Sequence, residues 1–334
     1  MTLPKISIVT PSFNQARFLE RTLRSVLEQG YPNLEYIVID GGSTDGSVEI
    51  LRRYADRLAW WESAPDGGQS NALNKGFARA TGEVLGWLNS DDVYCPGALA
   101  QAGRRFAANR ALDVFYGGLY LIDAEDRLLD AHWAGPCDLR YTFHVGLDIH
   151  QQALFWRREL MDRIGGIDEA MHFSMDVDLI VRLLLHGRTE RTRDYLGSFR
   201  VHDEAKTATI EALSKEENRI IQTRYRDQVP LAVPPAFARW NRAALSARRI
   251  AAVLAEAPAA YWAFKLGRRL GLPVPASWLY SRERPGTAER LLGPRGRRAP
   301  ARRLGPPGGG AAPGPRGGRE GAGARARGRG RGAR

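Results

Sequence analysis

The first ninety residues predict an α/β fold with a mostly parallel sheet and helices on both faces. Three features carry this expectation. Short β-branched runs alternate with stretches of helical periodicity, each run ends in polar, acidic or glycine residues, and the helical stretches close at glycine or proline. Ile6-Ser7-Ile8-Val9 reads as the first strand. Phe18, Leu19, Leu23, Val26 and Leu27 then recur at helical spacing until Gly30 and Pro32. Tyr36 to Ile39 reads as the second strand, stopping at Asp40-Gly41-Gly42. Residues 45–55 read as a helix, Leu58 to Trp61 as a third strand, residues 69–80 as a helix closed by Gly82, and Val84 to Leu88 as a fourth strand. Ligands on such sheets bind at the carboxyl ends of the strands, so the polar residues just after each strand are the candidate site.

Beyond residue 110 the rhythm loosens. Asp113 to Leu121 and Ala153 to Trp156 read as strands. Asp176 to His186 reads as a helix with Leu179, Ile180, Leu183 and Leu184 on its buried face. Residues 210–228 read as a charged helix, followed by a Pro-rich break at Val229 to Pro235. The stretch Ala236 to Leu270 is rich in Ala and Arg, with Trp240, Tyr261, Trp262 and Phe264 interleaved. A helical pair packed on the domain is expected there, with a basic amphipathic surface resting on an anionic membrane as the alternative. The resulting division is a catalytic domain over 1–230, a helical extension over 235–292 and a disordered Arg/Gly/Pro/Ala-rich tail over 293–334.

The 334 residues are 43% hydrophobic and 26% charged, enough for a sizeable core. The net charge of +12 suggests a nucleic-acid partner until it is divided. Residues 293–334 hold twelve arginines and one glutamate, so the rest of the chain is nearly neutral. That tail has no aromatic residue on which a base could stack, which argues against nucleic acid as a partner. No apolar run is long enough to span a bilayer, and MTLPKISIVT lacks the pattern of a signal peptide, so a cytoplasmic protein is expected. Cys95 and Cys137 read as buried hydrophobes rather than a disulfide or metal pair.

Two strand ends are acidic. Asp40 opens the run Asp40-Gly41-Gly42-Ser43-Thr44-Asp45-Gly46, where a carboxylate can accept from a ribose hydroxyl or a base N–H and glycines admit a ligand to the backbone. The run is neither an EF-hand, which needs Asp or Asn where Gly42 stands, nor a P-loop, which needs Lys where Ser47 stands. Asp45 is expected to cap the next helix. After the fourth strand comes Asn89-Ser90-Asp91-Asp92. Adjacent carboxylates repel unless a cation or donors lie between them, and Mg²⁺ or Mn²⁺ takes few carboxylates and completes its shell with phosphate oxygens and water. An acidic turn or a helix cap is the competing reading of that pair.

Together these segments resemble the family 2 glycosyltransferases over about residues 4–205. The resemblance rests on Ser7 to Asn14, Val38 to Gly46, Asp66 to Gly76, Leu88 to Asp92, Gly165 to Asp168, and Met175 to Leu179 with Arg182. It implies a GT-A fold, in which a Rossmann-like half binds the nucleotide, and an inverting transferase that uses a nucleoside diphosphate sugar, with a UDP-sugar favoured. By similarity, Thr10, Pro11, Ser12 and Asn14 line the nucleoside pocket, Asp40 bonds to the nucleoside, and Asp66, Lys75 and Asp91 add donor contacts. Asp92 is the expected direct ligand of Mg²⁺ or Mn²⁺, with His202 completing the shell or touching diphosphate. His150 resembles a position on the acceptor side. Asp176 is the expected catalytic base, although the family's usual Glu-Asp reads Met175-Asp176 here. That departure keeps open a catalytically inactive sugar-nucleotide binding module, and a helix cap is the competing role for Asp176 itself. The implied acceptor is a glycan or lipid-linked hydroxyl in cell-surface polysaccharide or glycolipid assembly, reached from the cytoplasm or from the inner face of the plasma membrane.

Overall fold

The computed structural model describes residues 2–203, 211–230, 238–257 and 259–270. The segment 293–334, expected to be disordered, lies outside them, as do the last residues of the expected helical extension.

β1 (Ile6–Ser12), β2 (Leu34–Asp40), β3 (Trp60–Ser63) and β4 (Val84–Trp87) form a parallel block in the spatial order β3-β2-β1-β4. Their crossovers are α1 (Ala16–Leu27), α2 (Ser47–Tyr54) and α3 (Gln69–Arg79). The third strand starts two residues later than the sequence suggests, because Ala55–Arg57 prolong α2 as a short 3₁₀ turn. Every residue of β1 is buried, since helices cover both faces of a central parallel strand. Alternate side chains serve opposite cores: Ile6, Ile8, Tyr36 and Val38 pack with α1, while Val9, Ile37 and Ile39 pack with α3. α3 lies so close to β1 that a methyl group on Gly76 would come within 2.3 Å of the Val9 side chain.

After β4 come β5 (Val93–Tyr94), α4 (Ala98–Ala108), β6 (Val114–Ile122), β7 (Leu128–His132), α5 (Leu139–His144), β8 (Leu154–Arg157), α6 (Arg158–Ile164), α7 (Met175–His186) and β9 (Thr189–Arg200). The full order is β3-β2-β1-β4-β8-β6-β9-β5, with β7 on the outer part of β6. β8 runs antiparallel to β4 and β6, and β9 runs parallel to β6. The sheet is therefore parallel in its first four strands and mixed beyond them. β9 buries only scattered positions of Thr-Glu-Arg-Thr-Arg-Asp-Tyr-Leu-Gly-Ser-Phe-Arg, so its strand character comes from pairing with β6 and not from its own pattern.

α8 (Glu211–Tyr225) packs Ile221 and Tyr225 into the core shared with α7. α9 (Ala238–Glu256) and α10 (Ala259–Arg269) follow, and Phe264 of α10 is buried against Val93, Tyr120 and Ala131. Among the described residues no helix is long and apolar enough to cross a membrane.

Glu35, at the start of β2, ties the amino ends of the parallel strands together. Its carboxylate accepts from Ser7 Oγ at 2.5 Å and from Thr81 N–H and Oγ1, each at 2.7 Å, and pairs with Lys5 Nζ at 2.7 Å. Burial opposes ionisation, but Lys5, Ser7 and Thr81 outweigh it and hold the carboxyl at about 2, below the ordinary 4.5. A lowered folded value means stability that is full above the ordinary value and is lost as pH falls from about 4.5 towards 2. In urea titrations across that window, Glu35→Gln should be less stable than wild type near neutrality and should flatten the acid limb. An unchanged acid limb would show that Glu35 does not couple folding to pH.

Candidate active site

The carboxyl ends of β1, β2 and β4 lie side by side, with Ser12 paired to Asp40 and Val9 to Trp87. Three loops leave this edge. The loop after β1 carries Asn14 in the left-handed region, with φ of 51°. Asn14 N–H donates to Ser43 Oγ at 2.7 Å, and its Oδ1 accepts from Thr44 N–H at 2.9 Å, which joins the first loop to the second. Thr10 and Ser12 are buried beneath it, with Thr10 Oγ1 3.0 Å from Tyr36 Oη, and Pro11 is buried between them.

Asp40 is fully buried. It accepts from Ser43 Oγ at 2.6 Å, Ser63 Oγ at 2.7 Å, Ser43 N–H at 2.9 Å and Gly42 N–H at 3.2 Å. Four donors from its own protein make Asp40 the anchor of the glycine loop. Asp45 serves two helices. Oδ2 accepts from Ala16 N–H at the start of α1, and Oδ1 accepts from Ser47 N–H and Oγ at the start of α2. Half-buried Asp66 accepts from Gly68 N–H at 2.7 Å and sits against Gly41, where a Cβ would meet its carboxylate at 3.3 Å and the Phe13 ring at 3.2 Å. Phe13 is 62% exposed. An aromatic face, a bare glycine backbone and a carboxylate acceptor thus adjoin at the mouth of the β1–β2 cleft.

The turn after β4 separates its two carboxylates. Asp92 faces inward and is fully buried. Its Oδ1 accepts from Arg200 N–H at 2.9 Å, and its Oδ2 accepts from the Gln152 side chain at 2.9 Å and the Asn89 side chain at 3.4 Å. Burial first, and the Asp91 charge second, push the Asp92 carboxyl well above the ordinary range. Asp91 turns the other way, and its Oδ2 lies 3.1 Å from His202 Nε2. Arg200, fully buried, clamps the turn: Nε donates to the Asp91 carbonyl at 2.7 Å, Nη1 donates to the Asp123 carbonyl at 2.9 Å, and the guanidinium lies over Phe18. Thr22 Oγ1 from α1 reaches the carbonyls of Ser90 and Asp92.

The loop before α7 is tied to this edge through α3. Gln69 donates to Asn89 at 2.9 Å, Ser70 Oγ to the Met171 carbonyl at 2.7 Å, and Asn74 to the Ile167 carbonyl at 2.9 Å. Lys75 stands on the same helix, half-buried, and its charge adds to the Asn74 and Asn71 hydrogen bonds that lower the Glu169 carboxyl. The first turn of α7 holds two acids with different surroundings. Asp178 is fully buried and spent on Arg182, Arg224 and Tyr225. Asp176 is half-buried, and its Oδ1 accepts the N–H of Val177 at 2.8 Å. The cap is neither Asp176 nor Ser174, whose side chain caps nothing. Glu217 of α8, buried, instead holds the backbone just before the helix, accepting from the N–H groups of His172, Phe173 and Ser174 at 2.7, 2.8 and 2.6 Å.

His150 lies apart from the Asp91–His202 pair, with its Nε2 3.3 Å from His132 Nδ1. Burial first, then the His132 and Arg249 charges, lowers it to about 4, so it is neutral near pH 7.

The model of the family described as "Glycosyl transferase family 2" matches residues 7–164. An uncharacterized glycosyltransferase of Mycobacterium tuberculosis is 35% identical over 185 residues, which cover 54% of this chain and 70% of the relative. The chain belongs to glycosyl transferase family 2. A second uncharacterized glycosyltransferase, from Nostoc, is 29% identical over 242 residues, covering 66% of this chain and 73% of its own. In fold, this glycosyltransferase is similar to S. aureus TarS 1-349, solved in complex with UDP-GlcNAc. The TM-score is 0.56 at 18% identity over 82% of each chain. The mixed sheet flanked by helices is the GT-A fold expected from the sequence.

Sequence reading did not find the roles of Thr22, Gln152, Arg200 and Glu217 in this transferase. Thr22 and Glu217 sit among ordinary helix-surface spacings, and Arg200 looks like one more charge in a charged strand. Only the unusual run His150-Gln151-Gln152 before a strand offered a signal. Removing the Glu217 charge should loosen the approach to α7: Glu217→Gln should cost about 1–3 kcal/mol in urea unfolding, because one amide oxygen cannot serve three N–H donors, of which the Ser174 one is buried. Stability equal to wild type would show that these N–H groups find other partners.

Proposed function

We propose that this transferase moves a sugar from a nucleoside diphosphate donor to an acceptor hydroxyl with inversion at the anomeric carbon, and that Asp91 and His202, not Asp92, face the donor's diphosphate. The observation that carries the reading is the 3.1 Å approach of Asp91 Oδ2 to His202 Nε2 at the carboxyl edge of the parallel strands, while Asp92 is consumed by Arg200, Gln152 and Asn89.

The pair suits a divalent ion. Among the described residues no group of three His, Cys, Asp or Glu side chains comes together to hold a metal. Asp91 and His202 therefore supply two donors, and the rest of the shell falls to diphosphate oxygens and water. The imidazole nitrogen favours Mn²⁺ over the oxygen-seeking Mg²⁺. When bound, such an ion would neutralise charge on the leaving diphosphate.

The other roles fall to this chain's own residues. Phe13 and the Gly41 backbone flank the base, whose N–H the Asp66 carboxylate accepts. Thr10, Pro11, Ser12 and Asn14 shape the nucleoside pocket, and Asp40 supports it by holding the glycine loop. Lys75 adds positive charge on α3, on the donor side. Asp176 takes the proton of the acceptor hydroxyl as its oxygen bonds to the anomeric carbon, and the bond from that carbon to the diphosphate breaks on the opposite face. Asp176 is half-buried at the start of α7, whereas Asp178 is fully buried among Arg182, Arg224 and Tyr225. The donor of first choice is a UDP-sugar, and the acceptor is a hydroxyl of a glycan or lipid-linked chain in surface polysaccharide or glycolipid assembly.

Titration calorimetry of UDP, GDP and dTDP with and without Mn²⁺ tests the site. One nucleotide should bind in a Mn²⁺-dependent way. Asp91→Asn should weaken it about tenfold or more, whereas Asp92→Asn should keep most of it. The reverse ranking would return the ligand role to Asp92, and no binding of any nucleotide would remove the donor reading. Asp176→Asn should bind nucleotide as wild type does while losing about 10²–10⁴ in kcat with the sugar donor. Full turnover in that variant would exclude it as the base.

A further inference from the structure

Away from the donor edge, α5, the turn after α8 and one face of α9 enclose a cavity of about 600 Å³. Its lining is of two kinds. Leu139, Val229, Pro230, Leu245 and Ala252 supply apolar surface, and Arg140, Arg248 and Arg249 supply three guanidinium groups. The carboxylate in the lining, Asp138, is already engaged: its Oδ1 accepts from the N–H groups of Arg140 and Tyr141 at 2.9 and 3.1 Å as the cap of α5. Arg249 is held in place. Nε lies 2.7 Å from Asp148 Oδ2, Nη2 reaches the Trp133 carbonyl at 3.4 Å, and Nη1 is buried with no hydrogen-bond partner among the described residues. Asp148 is itself fixed by Thr142 Oγ1 at 3.0 Å. Arg140 and Arg248 are exposed and have no ion-pair partner among the described residues.

Arg249 is neutralised by Asp148, so Arg140 and Arg248 are the two guanidiniums at the cavity whose positive charge has no ion-pair partner among the described residues. Guanidinium forks match the oxygens of a phosphate. A free inorganic anion has no use for the apolar wall opposite, whereas an amphiphile places its first methylene groups there. A second observation points to a lipid source. The outer face of α9 exposes Ile250 and Leu254, one turn apart and 58% and 59% accessible. By helical spacing Arg248 stands between this face and the cavity. Exposed aliphatic side chains bordered by a basic one are the composition of a helix that rests on an anionic lipid surface.

We propose that this cavity binds the phosphate of a membrane-borne amphiphile. Arg140 and Arg248 take the phosphate oxygens, Arg249 braces the cavity wall through Asp148, and Leu139, Val229 and Leu245 take the start of the hydrocarbon chain. The inference is independent of the donor-site assignment, since none of these residues belongs to it.

The test uses the full chain and soluble probes. Calorimetry with dihexanoyl phosphatidic acid below its micellar concentration should give saturable binding, about tenfold or more tighter than dihexanoyl phosphatidylcholine or inorganic phosphate. The double variant Arg140→Ala/Arg248→Ala should weaken it about tenfold or more, with unfolding midpoint and nucleoside diphosphate binding unchanged. Inorganic phosphate binding as tightly as the amphiphile would overturn the lipid assignment. Equal binding by the double variant would overturn the cavity and assign the effect to the arginines beyond residue 292. No saturable binding of phosphatidic acid would overturn the proposal outright.

Discussion

The carboxyl edge of the parallel strands depends on how the chain turns after β4 with two carboxylates in succession. Adjacent carboxylates repel, and the Asp91 charge adds to burial in raising the Asp92 carboxyl. The structure separates them. Asp92 goes inward to the backbone of Arg200 and the amide of Gln152, and Asp91 goes outward to His202. Arg200 makes the separation possible, because its main chain serves one acid's side chain while its own side chain holds the other's carbonyl. Its place is fixed by β9, which lies against β6 and β5 on the mixed side of the sheet. The mixed half is thus more than a flank. It delivers the last residues of β9, and His202 just after them, to the end of a parallel block that those residues never join.

A second constraint sets α7. The loop before it is tied to the same edge through hydrogen bonds from α3, and Glu217 satisfies three N–H groups in that loop. The acid that resembles the catalytic one, Asp176, accepts the N–H of Val177. Its neighbour Asp178 is neutralised by Arg182, Arg224 and Tyr225 and steadies the helix. Two acids two residues apart have different surroundings because one faces α8 and the core while the other lies at the half-exposed start of the helix.

Much of this was legible in the sequence. Strands β1, β2 and β4 and their helices follow from apolar periodicity, because parallel strands buried on both faces leave an unbroken hydrophobic record. The glycine-rich loop at Asp40 and the acidic pair at Asp91-Asp92 stood out as strand-end motifs. What each carboxylate touches was less legible, since adjacent acids look alike until the fold shows which one it buries. Asp40, expected to meet the nucleoside, accepts hydrogen bonds from Gly42, Ser43 and Ser63. β5, β7 and β9 left no clear pattern, because two are short and the third is charged along its length and is made a strand by its neighbours. Thr22, Arg200 and Glu217 act through contacts 43 to 109 residues away in the chain, which no local pattern records.

The central claim is that Asp91 and His202 meet the donor's diphosphate together through a divalent ion. Electron spin echo spectroscopy of the protein with Mn²⁺ and the bound nucleoside diphosphate tests it most directly. The account predicts nitrogen modulation from one imidazole, absent in His202→Ala and present in His150→Ala. A Mn²⁺ centre with no imidazole nitrogen, or one unaltered by loss of His202, would contradict it.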